Sequence, residues 1–178
     1  MTLSVHSYPQ IYLAETTAKI LHAVLETTDD GFVKRACITD QHSALDALLA
    51  QTLPLEHVAA ELRVAVLDFT QPLRLQPVHI PKPWGQEIWY TGMEARGVSQ
   101  IVSETGGTPL SWVLSCFGHS VLGVQHQQLN LLKILDPLPE EVFGDLYFEL
   151  HEKKREVYIV THVDRSAWPD GVGAIRYG

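Results

Sequence analysis

The sequence predicts an α+β protein in which a mixed unit of helices and strands, residues 1–76, precedes an antiparallel β unit, residues 77–178. Apolar residues recur at helical spacing in segments before residue 63. Four prolines then fall between residues 71 and 83. After them, short apolar segments bounded by glycines are typical of strands. These three observations give the fold class and the boundary.

The N-terminal unit is predicted to begin with an amphipathic helix. Residues 14–26 place Leu21, Val24 and Leu25 at the spacing of one helical face. The later elements of this unit are a turn over 29–31, a strand over 32–38, a helix over 42–50 capped by Thr39 or Asp40, a helix from Pro54 to about Leu62, and a strand over 64–69.

The proline-rich segment 71–83 separates the two predicted units. Proline fixes φ and lacks a backbone N–H, so this segment is neither a helix nor a central strand. We expect a linker or an extended segment at the edge of a sheet.

The β unit is predicted to open with a hairpin. Its strands cover 86–91 and 98–102, and the intervening loop contains Gly92 and Gly97. The pair Gly106-Gly107 is expected to end this hairpin.

A short helix and a buried strand are predicted next. Thr108 caps the helix, Pro109 opens it and Gly118 closes it. The run 129–135 is apolar except for Asn130 and Lys133, which favours a strand buried in the core.

The segment 144–162 predicts a second hairpin, because polar and apolar residues alternate on both sides of Glu152-Lys153. A two-residue turn at that point separates the side chains into two faces. The polar face carries Glu149, His151, Lys154 and Glu156, and the apolar face carries Phe148, Leu150, Val157 and Ile159.

The polar face of this hairpin has two interpretations. A half-buried antiparallel hairpin normally turns one polar face to water. Glu149 and Glu156, however, lie directly opposite each other in this register, and like charges there are unfavourable without a cation between them. Lys154 or a metal ion would supply that cation, so a solvated face and a metal site both remain open.

Composition excludes several classes of protein. A net charge of −8 argues against nucleic acid as a partner, since phosphate binding needs a basic surface. No segment approaches the roughly 20 apolar residues of a membrane span, and residues 1–10 do not have the pattern of a secretory signal. Cys37 and Cys116 are far apart and fit no metal or redox spacing, so we expect reduced thiols in the cytoplasm.

Two segments resemble a known enzyme family. Residues 82–89 read KPWGQEIW, and residues 131–136 read LLKILD. In this order they resemble the type I mannose-6-phosphate isomerase (phosphomannose isomerase) family, whose members have a cupin fold. The resemblance covers about residues 80–163.

The resemblance implies a metal-dependent aldose–ketose isomerase that interconverts mannose 6-phosphate and fructose 6-phosphate. It implies a zinc site made by Glu149, His151 and Glu156, and a catalytic, substrate-binding role for Lys154 beside the sugar phosphate. Trp84 is a candidate for substrate binding, because aromatic faces pack on sugar C–H groups; filling a core is the alternative.

The resemblance leaves two forms of the chain open: a truncated member of the family with a partial cupin-type antiparallel β-structure, or a compact relative that does not catalyse isomerisation. The family's fourth metal ligand and an arginine near the reacting carbons have no counterpart before Gly178. The alternative function is a non-catalytic cupin-like module that binds a sugar or a partner. A half-built sheet exposes its edges and apolar face, which either the helices of residues 1–76 or a second copy of the chain must cover; of these two we expect a homodimer.

Overall fold

The computed structural model describes residues 3–10, 19–92, 97–122, 131–138, 152, 155–166 and 168–172. These residues form helices and antiparallel sheets, so the predicted α+β class is confirmed. The cupin-type arrangement of the second half stays a prediction.

A four-stranded antiparallel sheet dominates the first half of the chain, with the strand order β1-β2-β3-β4. Two short helices pack on one face of this sheet. The elements are β1 (Leu3–Pro9), β2 (Ile20–Thr27), β3 (Val33–Thr39), α1 (His42–Leu49), α2 (Leu55–Leu62) and β4 (Leu67–Asp68).

Strand β2 occupies residues that the sequence assigned to a helix, so that prediction is wrong for the described part, residues 20–26. The strand is central and buried on both faces. Leu21 and Leu25 pack in one core cluster, and Val24 packs against α1 and α2 in another. A strand buried on both faces reads as a continuous apolar run, and here its leucines and valine mimic helical spacing.

The predictions for β3, α1 and α2 are confirmed within one residue at the start of each element. The residue before α1 is Gln41 rather than Thr39 or Asp40. Thr39 still supports the turn into the helix, since its Oγ1 accepts a hydrogen bond from the Gln41 backbone N–H at 3.0 Å.

The described part of the second half contains two three-stranded antiparallel sheets, with strand orders β10-β7-β6 and β5-β8-β9. The elements are β5 (Leu75–Gln76), β6 (Val78–Lys82), β7 (Gly85–Tyr90), β8 (Gln100–Ser103), β9 (Gly106–Pro109), α3 (Leu110–Leu122) and β10 (Leu132–Pro137). Within these described sheets, β5 and β6 lie at edges. Residues 75–76 and 78–82 of the proline-rich segment are therefore extended edge structure, which suits proline.

The predicted hairpin of β7 with β8 does not form, because the two strands belong to different sheets. The chain crosses between the sheets at Ser99. The backbone N–H of Ser99 donates to the Thr91 carbonyl at 3.0 Å, and its hydroxyl accepts from the Thr91 N–H at 2.9 Å. The buried Ser99 side chain thus satisfies the Thr91 backbone N–H, which a longer strand pairing would have satisfied with a backbone carbonyl.

Gly106 begins strand β9 instead of ending a hairpin, so that prediction is wrong. Its φ is +154°, and a Cβ at this position would lie 2.6 Å from the carbonyl oxygen of Arg63. The two halves of the chain approach so closely here that only glycine fits.

Helix α3 covers the face of the first sheet opposite α1 and α2. Phe117 packs against Tyr8 and Phe69, with ring centroids 6.5 and 5.0 Å apart. One core cluster therefore contains residues from both sides of the boundary predicted after residue 76. Gly118 lies inside the helix rather than at its end, because helical packing overrides its weak propensity.

A buried strand is predicted over residues 129–135, of which 131–135 are described. Strand β10 forms there, but the prediction that it is buried is wrong. Leu132, Ile134 and Leu135 are 63, 47 and 44% exposed. Among the described residues β10 pairs with β7 alone, so it lies at an edge and its side chains remain open to solvent.

Most of the predicted hairpin over 144–162 lies outside the described residues. In its described part, residues 155–162 form no strand, and Val157 and Ile159 are 89 and 80% exposed. The predicted strand and its buried apolar stripe are therefore wrong for these residues, since no described layer covers them. No helix in the described part of the chain is long and apolar enough to cross a membrane.

Candidate functional site

Three of the four predicted hairpin site residues, Glu149, His151 and Lys154, lie outside the described residues. Glu156 is described and exposed, and its Oε2 accepts a hydrogen bond from the Tyr158 hydroxyl at 2.8 Å. The described residues contain no group of three or more histidine, cysteine, aspartate or glutamate side chains that could hold a metal ion. The zinc site stays a prediction.

Trp84 lies in the turn between β6 and β7 and is only 6% exposed. Its carbonyl accepts a hydrogen bond from the Leu138 N–H at 2.6 Å, which fastens the end of β10 to this turn. The next residue, Gly85, has φ +143°, and a Cβ there would lie 2.2 Å from the Asp136 carbonyl oxygen. The Trp-Gly pair of KPWG thus has a structural role, and sugar binding by Trp84 stays a prediction.

The same KPWGQEIW segment builds a charged cluster on one face of the sheet β10-β7-β6. Glu87 and Trp89 share this face because they are two residues apart on β7. Lys82 of β6 lies opposite Gly85 of β7, and Lys133 of β10 lies opposite Trp89 of β7. We call these four side chains, Lys82, Glu87, Trp89 and Lys133, the Glu87 cluster.

Glu87 is the buried centre of this cluster, with only 1% of its surface exposed. The Trp89 Nε1–H donates a hydrogen bond to Oε2 at 2.7 Å. The Nζ of Lys82 lies 3.6 Å from Oε2, and the Nζ of Lys133 lies 3.4 Å from Oε1. Lys133 also lies over the Trp89 ring, 5.2 Å from its centroid.

These contacts explain how a carboxylate remains in a buried position. An isolated buried charge is strongly unfavourable, whereas one with paired cations and a hydrogen-bond donor is tolerated. The two ammonium groups and the carboxylate sum to one positive charge, in a chain whose net charge is −8. The lysine side chains are 15 and 18% exposed, so each is partly open to solvent. The Glu87 cluster is thus a locally positive site.

Sequence reasoning did not select Glu87 or Lys133 as site residues. In each of the two segments that carry the family resemblance, one charged residue lies inside a predicted strand: Glu87 in the first and Lys133 in the second. This pattern is the signal that could have identified them. Charged side chains rarely occur in fully buried strands unless they are paired. The two residues are 46 positions apart, and only the pairing of β7 with β10 brings them together.

The opposite face of this sheet has a polar chain across all three strands. The Nδ1 of His79 lies 3.1 Å from Oε1 of Gln86, whose Nε2 donates to Oδ2 of Asp136 at 2.8 Å. These exposed contacts help to set the strand register that aligns the Glu87 cluster.

A second buried charge network lies in the first sheet and has a structural role. Arg35 binds the buried Glu26 across β2 and β3, and it also binds Glu56 in the first turn of α2. These hydrogen bonds, first that to Glu26, raise the pKa of the Arg35 guanidinium. The hydrogen bond of Glu56 to its own backbone N–H, and then Arg35, lower the pKa of the Glu56 carboxyl. The network fastens α2 to the sheet.

An open groove of about 550 Å³ lies elsewhere in the second half, beside β5 and β8. It shares no side chain with the Glu87 cluster. Its lining is Arg74, Leu75, Gln76, Pro77, Val102, Ser103 and Glu104.

Comparisons of the chain with protein-family models, with curated proteins and with solved structures found no match. The candidate site is therefore defined by its own geometry.

Proposed function

We propose that this chain binds a sugar phosphate and acts as a metal-dependent aldose–ketose isomerase on mannose 6-phosphate and fructose 6-phosphate. One observation carries the proposal. The two segments on which the family resemblance rests lie on neighbouring strands and join Lys82, Lys133 and Trp89 around the buried Glu87.

The Glu87 cluster supports the binding part of this proposal. A lysine ammonium group binds phosphate as a point charge, and two such groups lie on one face here. Glu87 and Trp89 hold the ammonium of Lys133 in place before any ligand arrives, which reduces the entropy lost on binding. The indole beside the lysines would pack on the sugar.

The catalytic part of the proposal rests on the resemblance. Isomerisation moves a proton between adjacent carbons through an enediol, and a side chain must carry that proton. Lys154 is the proposed catalytic residue that would pair with the sugar phosphate as a point charge. A zinc ion held by Glu149, His151 and Glu156 would polarise the sugar oxygens.

Binding of fructose 6-phosphate, measured by titration calorimetry, tests the role of the Glu87 cluster. Lys133→Met should weaken binding at least about tenfold, because a charge-assisted contact is lost. Lys34→Met removes the same charge from an exposed position in β3 and should bind like the wild type. Equal affinities of the two variants, or no binding by the wild type, would contradict the proposal.

A coupled assay of mannose 6-phosphate turnover, with and without added Zn²⁺, tests the reaction. Zinc-dependent turnover supports the isomerase. Sugar phosphate binding without turnover at stoichiometric zinc supports the second candidate, a non-catalytic module.

The exposed apolar side chains of β10 favour this second candidate. Leu132, Ile134 and Leu135 offer an apolar edge that a partner would cover. We propose a second copy of the chain as that partner, and light scattering should give a dimer mass that Ile134→Lys halves. A monomeric wild type would contradict the dimer.

The compartment proposed for this protein is the cytoplasm. Cys37 and Cys116 are both free and buried, which is typical of proteins in a reducing environment.

A further inference from the structure

A serine and a histidine lie side by side in the first sheet, far in sequence from the Glu87 cluster. Ser7 on β1 is directly opposite His22 on β2. The Oγ of Ser7 lies 3.1 Å from Nδ1 of His22. This distance is within the range found between a nucleophile and its general base. Ser7 is exposed, whereas His22 is only 8% exposed.

The strand register shows which way the Ser7 backbone points. The Gln10 N–H donates to the carbonyl of Lys19, its opposite residue, at 2.9 Å, so residues 10 and 19 form a hydrogen-bonded pair. Such pairs alternate with non-hydrogen-bonded pairs along an antiparallel ladder. Ser7 and His22, three positions further along, are therefore a non-hydrogen-bonded pair.

Two consequences follow from this register. Side chains of a non-hydrogen-bonded pair are the closest in an antiparallel sheet, which explains the contact of Ser7 with His22. The backbone N–H of Ser7 also points away from β2, towards the outer edge of β1. In the described part of the chain, no strand pairs with that edge.

The imidazole of His22 is held from several sides. Thr39, which is fully buried, lies opposite it on β3. The ring of His42, the first residue of α1, stacks on it with a centroid distance of 4.8 Å and an interplanar angle of 27°. Nε2 of His42 lies 3.3 Å from Oδ2 of Asp46. This packing orients the base towards Ser7.

We propose that Ser7 and His22 form an acyl-transfer site at the outer edge of β1, with small carboxylic esters as the substrate class. Ser7 Oγ attacks the ester carbonyl carbon while His22 Nδ1 takes the hydroxyl proton. The bond to the leaving alkoxide then breaks, and His22 gives the proton to that oxygen. Water, activated by His22, hydrolyses the acyl-serine and restores both residues. The outward N–H of Ser7 donates to the developing oxyanion.

A serine-reactive fluorophosphonate probe tests this site in the full chain, with peptide mapping of the modified residue. Ser7 should be the labelled serine, and Ser7→Ala should abolish labelling. His22→Gln should slow it about a hundredfold or more, which is the usual contribution of a general base. Ser4→Ala is the matched control, because Ser4 lies on the same strand opposite Leu25 and faces the other side of the sheet.

A second measurement decides the matter if His22→Gln does not fold. The wild-type chain is labelled in buffer and in urea, because only the folded sheet brings His22 to Ser7. Faster labelling of Ser7 in the folded chain supports the site. Equal labelling in both states, or equal labelling rates of the wild type and a folded His22→Gln variant, would overturn it. Because the probe does not involve the Glu87 cluster, this result is independent of sugar phosphate binding.

Discussion

The two halves of this molecule place their apolar and charged residues in opposite ways. The first sheet is covered on both faces, and its central strand β2 is buried almost throughout. The sheet β10-β7-β6 buries a glutamate at its centre and exposes the apolar side chains of its strand β10. Apolar burial stabilises the first region. In the second region, a buried charged site and an exposed apolar edge lower the stability instead. Both features are typical of a binding region.

The largest expected effect compares one residue type in the two regions. Ile38 is fully buried in β3, and Ile134 is 47% exposed in β10. Ile38→Ala should lower the free energy of unfolding by about 4 kcal/mol, since it removes buried surface and leaves a cavity. Ile134→Ala should change it by less than about 1 kcal/mol. Urea denaturation measures both, and similar losses would mean that β10 is covered in solution.

The junction between the two regions should be nearly as sensitive. Gly106→Ala places a methyl group against the Arg63 carbonyl, so we expect a loss of about 3 kcal/mol from strain and overpacking. Gly107→Ala is the matched control, because the nearest atom to its added Cβ would be a side-chain oxygen at 3.4 Å. Thermal melts of the two variants should differ clearly. A stable Gly106→Ala protein would show that the halves do not pack this closely.

Removal of the buried charge should have a smaller effect on stability. Glu87→Gln leaves Lys82 and Lys133 without their carboxylate, which should cost about 2 kcal/mol, given that both lysine side chains are partly exposed. Glu61→Gln, on the exposed face of α2, should cost almost nothing. Denaturation at high salt tests the cause, because exposed charge pairs weaken there more than buried ones. A Glu87→Gln variant as stable as the wild type would contradict the described contacts.

The smallest expected effect concerns the two thiols. Burial raises the pKa of Cys37 and of Cys116 from the usual 9.0 to about 12. The neutral thiol is thus favoured in the folded state, so the stability from these groups is full below pH 9 and is lost as the pH rises towards 12. Iodoacetamide at pH 8 should label both only after unfolding, as mass spectrometry will show.

The order in which the two thiols react sharpens the comparison further. Cys116 lies on α3, which belongs to the second half of the chain, and Cys37 lies inside the first sheet. In low urea, Cys116 should be labelled before Cys37 if α3 separates from the sheet first. Simultaneous labelling would mean that the two core clusters, one containing Cys37 and the other Cys116, unfold as one unit.

Local patterns identified the elements whose neighbours are near in sequence. Turn residues and the amphipathic pattern were enough for β3, α1 and α2, since helix ends and short strands depend on adjacent residues. Proline chemistry correctly indicated extended edge structure for residues 75–82. The motif KPWGQEIW drew attention to the segment that forms the candidate site.

Tertiary structure decided the rest, because it depends on contacts between distant residues. Residues 20–26 form a strand since layers on both faces of the sheet bury them, and no local period distinguishes such a run from a buried helix. Gly106 is needed because Arg63 lies against it, and Gly118 is tolerated because α3 packs on the first sheet. Glu87 and Lys133 become partners through a strand pairing across 46 residues, and Ser7 meets His22 through a register that a shift of one residue would abolish.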